Sequence, residues 1–380
     1  MKVRCSKSVL NNALSSLSRI TPTRPVQPIL GGFMIFTRDD TLVLQATDME
    51  LSLTMIIPAQ VEIEGCIVVT GRYLMEIVRR LPDGDLTLQL DDINQQVEIL
   101  YGGKASAHIN TLAPSDFPSL PVAPSQNQIV MDGNRWKNNL RKITFAASPQ
   151  EIRPNYAGVY MEFKSGYLKM VSTDTYRLAL LTMPYEYEHS EITLFVPVRP
   201  LGEVIRLLED DQQLEIIWDQ TVINFQTKKF TLTARLMDAQ FPAYERVIPK
   251  ECRLRIKVNK ELLNDTLERA VLFNELPSQQ AVVDLKVDAG TLFISAQSSQ
   301  MGSLNEEIIL GCAEGEETQA AFTTRYLLDP LKVMEQEDVI LCLNGPREPA
   351  VYLEEGDESY LHLVLPVRRL LDNNTGEAEV

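Results

Sequence analysis

Side chains able to do chemistry are few and scattered in this chain. Histidine occurs only at 108, 189 and 362, each isolated, so neither a metal cage nor imidazole acid–base catalysis has its parts close in sequence. The five cysteines, Cys5, Cys66, Cys252, Cys312 and Cys342, are odd in number and form no CxxC pair. That pattern predicts buried, reduced thiols rather than a disulfide framework or a zinc site. The stretch YGGKAS at 101–106 has some likeness to a phosphate-cradling loop, but Glu98 stands where the first glycine belongs and Ala105 replaces the Ser or Thr. A hairpin turn is expected there instead. GxSxG, HExxH and the kinase signatures are missing. Carboxylates are plentiful without a catalytic constellation, and Thr173–Asp174 reads as a turn at a strand end. The expectation is a binding protein that catalyses nothing and uses no cofactor or metal.

Length and composition bound the class. With 380 residues, 44% hydrophobic and 23% charged, the chain has a globular composition and is long enough for two or three cores. No apolar run approaches the ~20 residues that span a bilayer. The opening MKVRCSKSVLNNALSSL is amphipathic and has no signal-peptide core. A cytoplasmic protein without membrane contact is expected. The net charge is −16, which would repel phosphate if it were evenly spread.

The elements that must position any site recur. Pro118, Pro242 and Pro366 follow Phe117, Phe241 and Leu365 at an even interval of roughly 125 residues, the size of a domain rather than of a solenoid repeat. Turns at Asp39–Asp40, Ser165–Gly166 and Ala289–Gly290 each feed an alternating run that reads as a strand. In the first two repeats that strand ends in Thr-Asp, at 47–48 and 173–174. Arg72, Arg199 and Arg325 hold one position in three helical runs, with Leu74, Leu201 and Leu327 in step. Each repeat opens on a short strand leading into apolar residues at helical spacing, such as Leu10, Leu14 and Leu17. Proline cannot continue a central ladder, so it closes the unit. The fold expected is α+β: three tandem homologous domains, each two helices packed on antiparallel sheet. Their boundaries are placed at 1–124, 125–250 and 251–370, with 371–380 a disordered acidic tail.

Charge is segregated. The first helices of the first two repeats carry Lys7, Arg19, Arg135, Lys137, Arg141 and Lys142, and one second helix carries Arg72, Arg79 and Arg80 against Glu76. The six helices together are net positive on an acidic chain. Such a surface attracts phosphate locally while the remainder repels it. Three units side by side leave unpaired sheet edges at both ends, and a closed symmetric oligomer removes them. Basic helices lining the hole of such a ring would hold a duplex by its backbone.

Several stretches closely resemble the bacterial DNA polymerase III beta subunit family, the sliding clamps. They are TRPVQPIL (23–30), ATDMEL (46–51), APSDFP (113–118), STDTYRLAL (172–180), FPAYERVIPK (241–250) and VLPVRRL (364–370), in the family's order. The resemblance implies a head-to-tail homodimer forming a six-domain ring that slides on double-stranded DNA without sequence specificity. It also implies that the ring tethers the replicative polymerase and that an ATP-using clamp loader opens it. DNA contact is implied at Arg24, Arg72, Gln150, Arg153 and Arg199; Lys137 and Arg141 are added from the charge count. Pro154–Asn155 stands where the family has an aromatic pair.

A groove for short peptides of the polymerase, the loader and repair proteins is implied between the second and third domains. Its lining would be Tyr156, Thr173, Thr175, Tyr176, Arg177, Leu178, Pro242, Arg246, Val247, Leu363, Leu365, Pro366, Val367 and Arg368. Thr175 and Tyr176 replace the family's usual glycine and ring residue. Dimer contacts are implied at Ile109 against Val271 and Leu272. Family chains usually stop near the end of VLPVRRL, whereas this one continues to LLDNNTGEAEV, a tail expected to compete weakly with partner peptides.

Overall fold

A computed structural model describes residues 1–121, 127–149, 152–185, 191–210, 212–273 and 281–367. The expected tail 371–380, Gln150, Arg368 and the junction at 124/125 lie outside the described residues.

Each repeat follows one plan. In the first, strand Lys2–Ser6 runs into helix α1 (Lys7–Ser18); the hairpin Gly32–Arg38/Thr41–Thr47 and strands Leu51–Pro58 and Cys66–Thr70 follow, then helix α2 (Gly71–Arg80) and three closing strands. The central repeat places α3 (Gly133–Thr144) and α4 (Val198–Leu207) at the same points, and the third α5 (Lys260–Ala270) and α6 (Thr324–Leu331). The helical periodicity is realised as read. Leu10, Ala13, Leu14 and Leu17 bury one stripe of α1, and Leu74 and Val78 that of α2. At the start of α5 the Asn259 side chain accepts from Leu262 N at 3.1 Å, satisfying a first-turn donor. The three hairpin turns stand where the sequence puts them, with left-handed backbone at Asp39, Gly166 and Ala289–Gly290. YGGKAS is a hairpin too: Gly102 and Gly103 take φ 57° and 85°, the paired positive values of the tight turn that matches strand twist.

The chain divides into two compact units, Met1–Asn138 with Arg199–Met237, and Asn139–Val198 with Asp238–Val380. The first holds a 13-stranded sheet and the second a 9-stranded and a 4-stranded sheet. These units cut across the central repeat because ladders continue from one repeat into the next. In the first unit Leu51–Pro58 pairs antiparallel with Phe230–Arg235, Leu53 opposite Leu232. In the second, Arg177–Pro184 pairs with Asp357–Val364, Leu178 opposite Leu363.

One expectation is overturned. Cys252 and Cys342 form a disulfide, Cα atoms 5.4 Å apart, so not all thiols are reduced. The pairing joins residues 90 apart in sequence, a proximity that spacing rules cannot see. Cys5, Cys66 and Cys312 are free; burial pushes the Cys5 thiol up to about 12.

Candidate partner groove and nucleic-acid interface

The site in the second unit starts from the turn Thr173–Arg177. Two strands must reverse there, and polar side chains replace ladder bonds that the turn interrupts. Thr173 Oγ1 donates to Arg177 O at 2.6 Å and accepts from Thr175 N at 3.0 Å. Asp174 Oδ1 accepts from Tyr176 N and Arg177 N at 2.9 and 3.0 Å. The turn closes only with Thr175 at φ 77°, a left-handed value that a β-branched residue adopts under strain.

The buried Asp174 then orders its surroundings. Arg177 Nε donates to Asp174 Oδ2 at 3.0 Å, and its Nη1 to Asp329 Oδ2 of α6 at 2.5 Å. The same guanidinium lies over the Tyr326 ring at 4.6 Å and the Phe145 ring at 5.6 Å. Arg177 therefore locks the strand Arg177–Pro184 to α6. Arg153 donates to Asp174 O at 3.1 Å and to Tyr176 Oη at 3.2 Å, with its guanidinium 4.9 Å over the Tyr176 ring. Tyr176 stacks on Tyr326 with centroids 6.4 Å apart, so Arg153 and Tyr326 together hold the ring.

Beside this rim lies a cavity of about 170 Å³. Its floor is apolar: Leu178 and Leu363 pack with Val171, Tyr244, Ile340, Cys342 and Val351. The far wall is the segment after Phe241, whose ring stacks on Tyr160 at 4.9 Å and is followed by a one-turn helix, Tyr244–Val247. Tyr244 Oη donates to Glu162 Oε2 at 3.1 Å; burial and then the Glu162 charge push its phenol well above the usual range. Tyr176, Val247 and Leu365 remain 51%, 49% and 37% exposed, which leaves apolar surface open at the mouth. Apolar walls with few fixed polar groups suit a short peptide's hydrophobic side chains.

Ten of the groove residues expected from the sequence line this cavity: Tyr156, Thr173, Thr175, Tyr176, Arg177, Leu178, Pro242, Val247, Leu363 and Leu365. Ala243 and Tyr244 line it as well and were missed, although the FPAY context places them directly after Pro242. Arg246 stands exposed on the one-turn helix. Val367 N donates to Ala321 O at 2.7 Å; neither it nor Pro366 is among the lining.

The expected DNA-contact residues fall into two groups. Arg24, Arg72 and Arg141 are exposed, the last two on α2 and α3. The other described ones, Lys137, Arg153 and Arg199, are engaged within the protein. Arg199 Nη1 donates to Asp48 Oδ2 at 2.5 Å, and its Nη2 donates to Ile20 O at 3.4 Å. Lys137 Nζ donates to Leu208 O at 2.8 Å, and Arg153 belongs to the groove rim. Several helix cations outside that set are also tied down: Lys7 pairs with Asp83, Arg19 with Glu203 and Lys142 with Glu354. The charge count on the helices thus overstates their free positive charge. Of the expected dimer residues, Ile109 is buried opposite Val97 in its own sheet, while Leu272, just past α5, is 62% exposed.

Three two-helix units backed by antiparallel sheet, with a peptide-sized groove at the second unit's turn, define a three-domain clamp architecture. The DNA polymerase III beta subunit N-terminal domain matches residues 1–121, the central domain 130–243 and the C-terminal domain 245–368. The chain belongs to that family. It is 29% identical to the beta sliding clamp of Bacillus subtilis over 97% of this chain and 100% of the relative. The beta sliding clamp of Halalkalibacterium halodurans is 28% identical, over 93% and 96%. The DNA polymerase sliding clamp of Bacillus subtilis superposes with a TM-score of 0.91 at 28% identity, covering 97% and 99%. A Pseudomonas aeruginosa DNA polymerase III beta subunit bound to griselimycin gives 0.90 at 25%, covering 97% and 100%.

Proposed function

We propose that this chain is a DNA sliding clamp: two copies close head to tail into a six-domain ring around duplex DNA and tether the replicative polymerase, without catalysing a reaction. The observation that carries the reading is membership of all three domains, in order, in one family. Tethering acts through effective concentration, because a leashed polymerase rebinds before it diffuses away. The domains are assigned to 1–124, 125–250 and 251–370, and the protein to the bacterial cytoplasm. Among the described residues no helix is long and apolar enough to cross a membrane.

Strand edges support the closure. Leu51–Pro58 and Arg177–Pro184 each pair with the last strand of the following repeat. Gly302–Ile309 holds the same place in the third repeat and is the edge of its sheet. By that periodicity its partner is the last strand of a first repeat, Ala105–Leu112, on a second copy. That strand bonds Gln96–Tyr101 on one side and meets Cys66–Thr70 on the other only at Thr111 and Leu112. Val271 and Leu272 belong to the same contact, and Ile109 supports it from within its sheet.

Arg24, Arg72 and Arg141 act on the DNA backbone directly, and Lys137, Gln150, Arg153 and Arg199 are the further contacts. The groove takes the apolar and glutamine anchors of polymerase, loader and repair peptides. The test is retention on nicked circular DNA. The protein stays bound at moderate salt and is lost when the circle is linearised, and its native mass is close to twice 42.9 kDa. A monomer that leaves circles and linear DNA equally fast refutes the ring.

A further inference from the structure

The groove has a covalent element that its peptide-binding reading does not use. Its far wall runs from Pro242 through the one-turn helix to Val247. Five residues after Val247 the chain reaches Cys252, bonded to Cys342. Cys342 is buried in the apolar cluster that contains the groove residues Leu178, Tyr244 and Leu363. Beyond the disulfide the backbone is held independently. Arg253 N donates to Asn344 Oδ1 at 3.0 Å, and Leu254 enters the ladder between Leu343 and Gly315. Gly315 permits that approach, since a Cβ there would fall 1.9 Å from Arg253 O. Residues 248–252 are thus a short span between the groove wall and a fixed sheet, and the disulfide pins its far end onto the groove's floor. Cys252 is exposed while Cys342 is buried, so a reductant approaches the bond from the Cys252 side. Exposed disulfides in reducing compartments are the labile and regulatory ones.

We infer that the Cys252–Cys342 disulfide is a redox-controlled staple of the groove wall, and that its reduction by a dithiol weakens peptide binding. The inference rests on the groove being a peptide site. A dithiol's thiolate attacks the Cys252 sulfur from the exposed side of the bond. The S–S bond breaks, Cys342 leaves as a thiolate and takes a proton, and a mixed disulfide remains on Cys252. The second thiol of the reductant displaces Cys252, which is protonated in turn. Two electrons and two protons pass to the protein, and the reductant ends as its own disulfide. The span 248–252 is then tethered only through its neighbours, and Tyr244 and Val247 lose part of their fixed geometry.

The test uses the full chain, air-oxidised or treated with dithiothreitol, and a fluorescent peptide carrying a glutamine and apolar anchors. After unfolding, the oxidised protein shows three reactive thiols and the reduced protein five. Reduction raises the peptide Kd about five-fold or more, the low end of ordinary coupling between sites. Cys252→Ser binds weakly with or without dithiothreitol, whereas Cys5→Ser/Cys66→Ser/Cys312→Ser keeps the full response. Amide exchange of 244–252 quickens on reduction. Five reactive thiols before reduction, or equal Kd and equal exchange in both states, overturn the inference. If the peptide binds neither form while exchange still responds, the peptide reading of the groove fails, the predicted link to binding falls with it, and the staple itself survives.

Discussion

The first and second repeats contain the same turn put to different uses. Thr47–Leu51 and Thr173–Arg177 share the hydrogen bonds that close the turn. In each, the threonine hydroxyl spans to the carbonyl four residues on, the aspartate Oδ1 accepts two successive amides, and a residue at φ near 80° closes the bend, Met49 or Thr175. The remaining carboxylate oxygen is used differently. Asp48 holds the half-exposed Arg199 at the start of α4, whereas Asp174 holds a largely covered arginine that continues to Asp329. The segments after the Phe-Pro pair differ as well. Pro118–Pro121 runs on without helix, while Pro242 is followed by the turn of helix that supplies Tyr244 and Val247. The loop is a common hinge of the repeat, and what packs on it decides whether it locks a helix or borders a groove.

The largest test of that contrast removes the two arginines. Arg177→Ala strips the buried Asp174 of its guanidinium partner and leaves Asp329 with Lys332 alone, and it costs about 3 kcal/mol, read by denaturant unfolding. Arg199→Ala breaks an exposed pair and costs about 0–1 kcal/mol, yet lowers retention on circular DNA. Similar stability losses for both would erase the distinction.

Acid sharpens the comparison next. His362 faces Ala179 across the second junction, where the first has Leu232 facing Leu53. Burial, reinforced by the Arg177 charge, lowers the imidazole to about 3. The folded state therefore keeps it neutral where the unfolded chain protonates. Its contribution is complete above about pH 6.5 and is lost as pH falls toward 3, by about 1.4 kcal/mol per unit. His362→Leu, which copies the first junction, removes that share of the slope in stability measured between pH 7 and 4.

Groove truncations come third. Val247→Ala or Leu365→Ala removes two to three methyl-sized groups, worth about 0.8 kcal/mol each when covered by a ligand. Because only part of each side chain is open before binding, 49% at Val247 and 37% at Leu365, each raises the peptide Kd about four- to five-fold by fluorescence anisotropy. Met49→Ala in the first turn leaves the Kd unchanged. The smallest effect is on the turns themselves. Thr175→Gly relieves a left-handed β-branched residue and raises stability by about 1 kcal/mol, and Met49→Gly by less, since Met is unbranched at Cβ. A loss at Thr175 would mean that the rim depends on its side chain.

Much of this architecture is legible in one dimension. The helix stripes, hairpin turns and strand ends follow from apolar spacing and turn chemistry within a few residues, and their recurrence exposes the triplication. Even the role of Thr173–Asp174 as a turn is readable, because its bonds are local. The groove was legible only through family likeness: its walls come from four separate stretches, and Tyr244 was missed although it sits two residues after Pro242. The disulfide and the ion pairs were invisible. Arg199 meets Asp48 and Arg177 meets Asp329 across more than a hundred residues, so a helix charge count could not tell free cations from paired ones.

What the residues settle by themselves is the unit: periods of two and 3.6, punctuated by turns and proline, specify two helices on antiparallel strands three times over. Tertiary structure alone decides which copy of a shared turn opens onto a groove, which arginines are free and which cysteines meet. Those outcomes depend on contacts between segments far apart in the chain. Chain closure brings such segments together, and no local preference encodes their meeting.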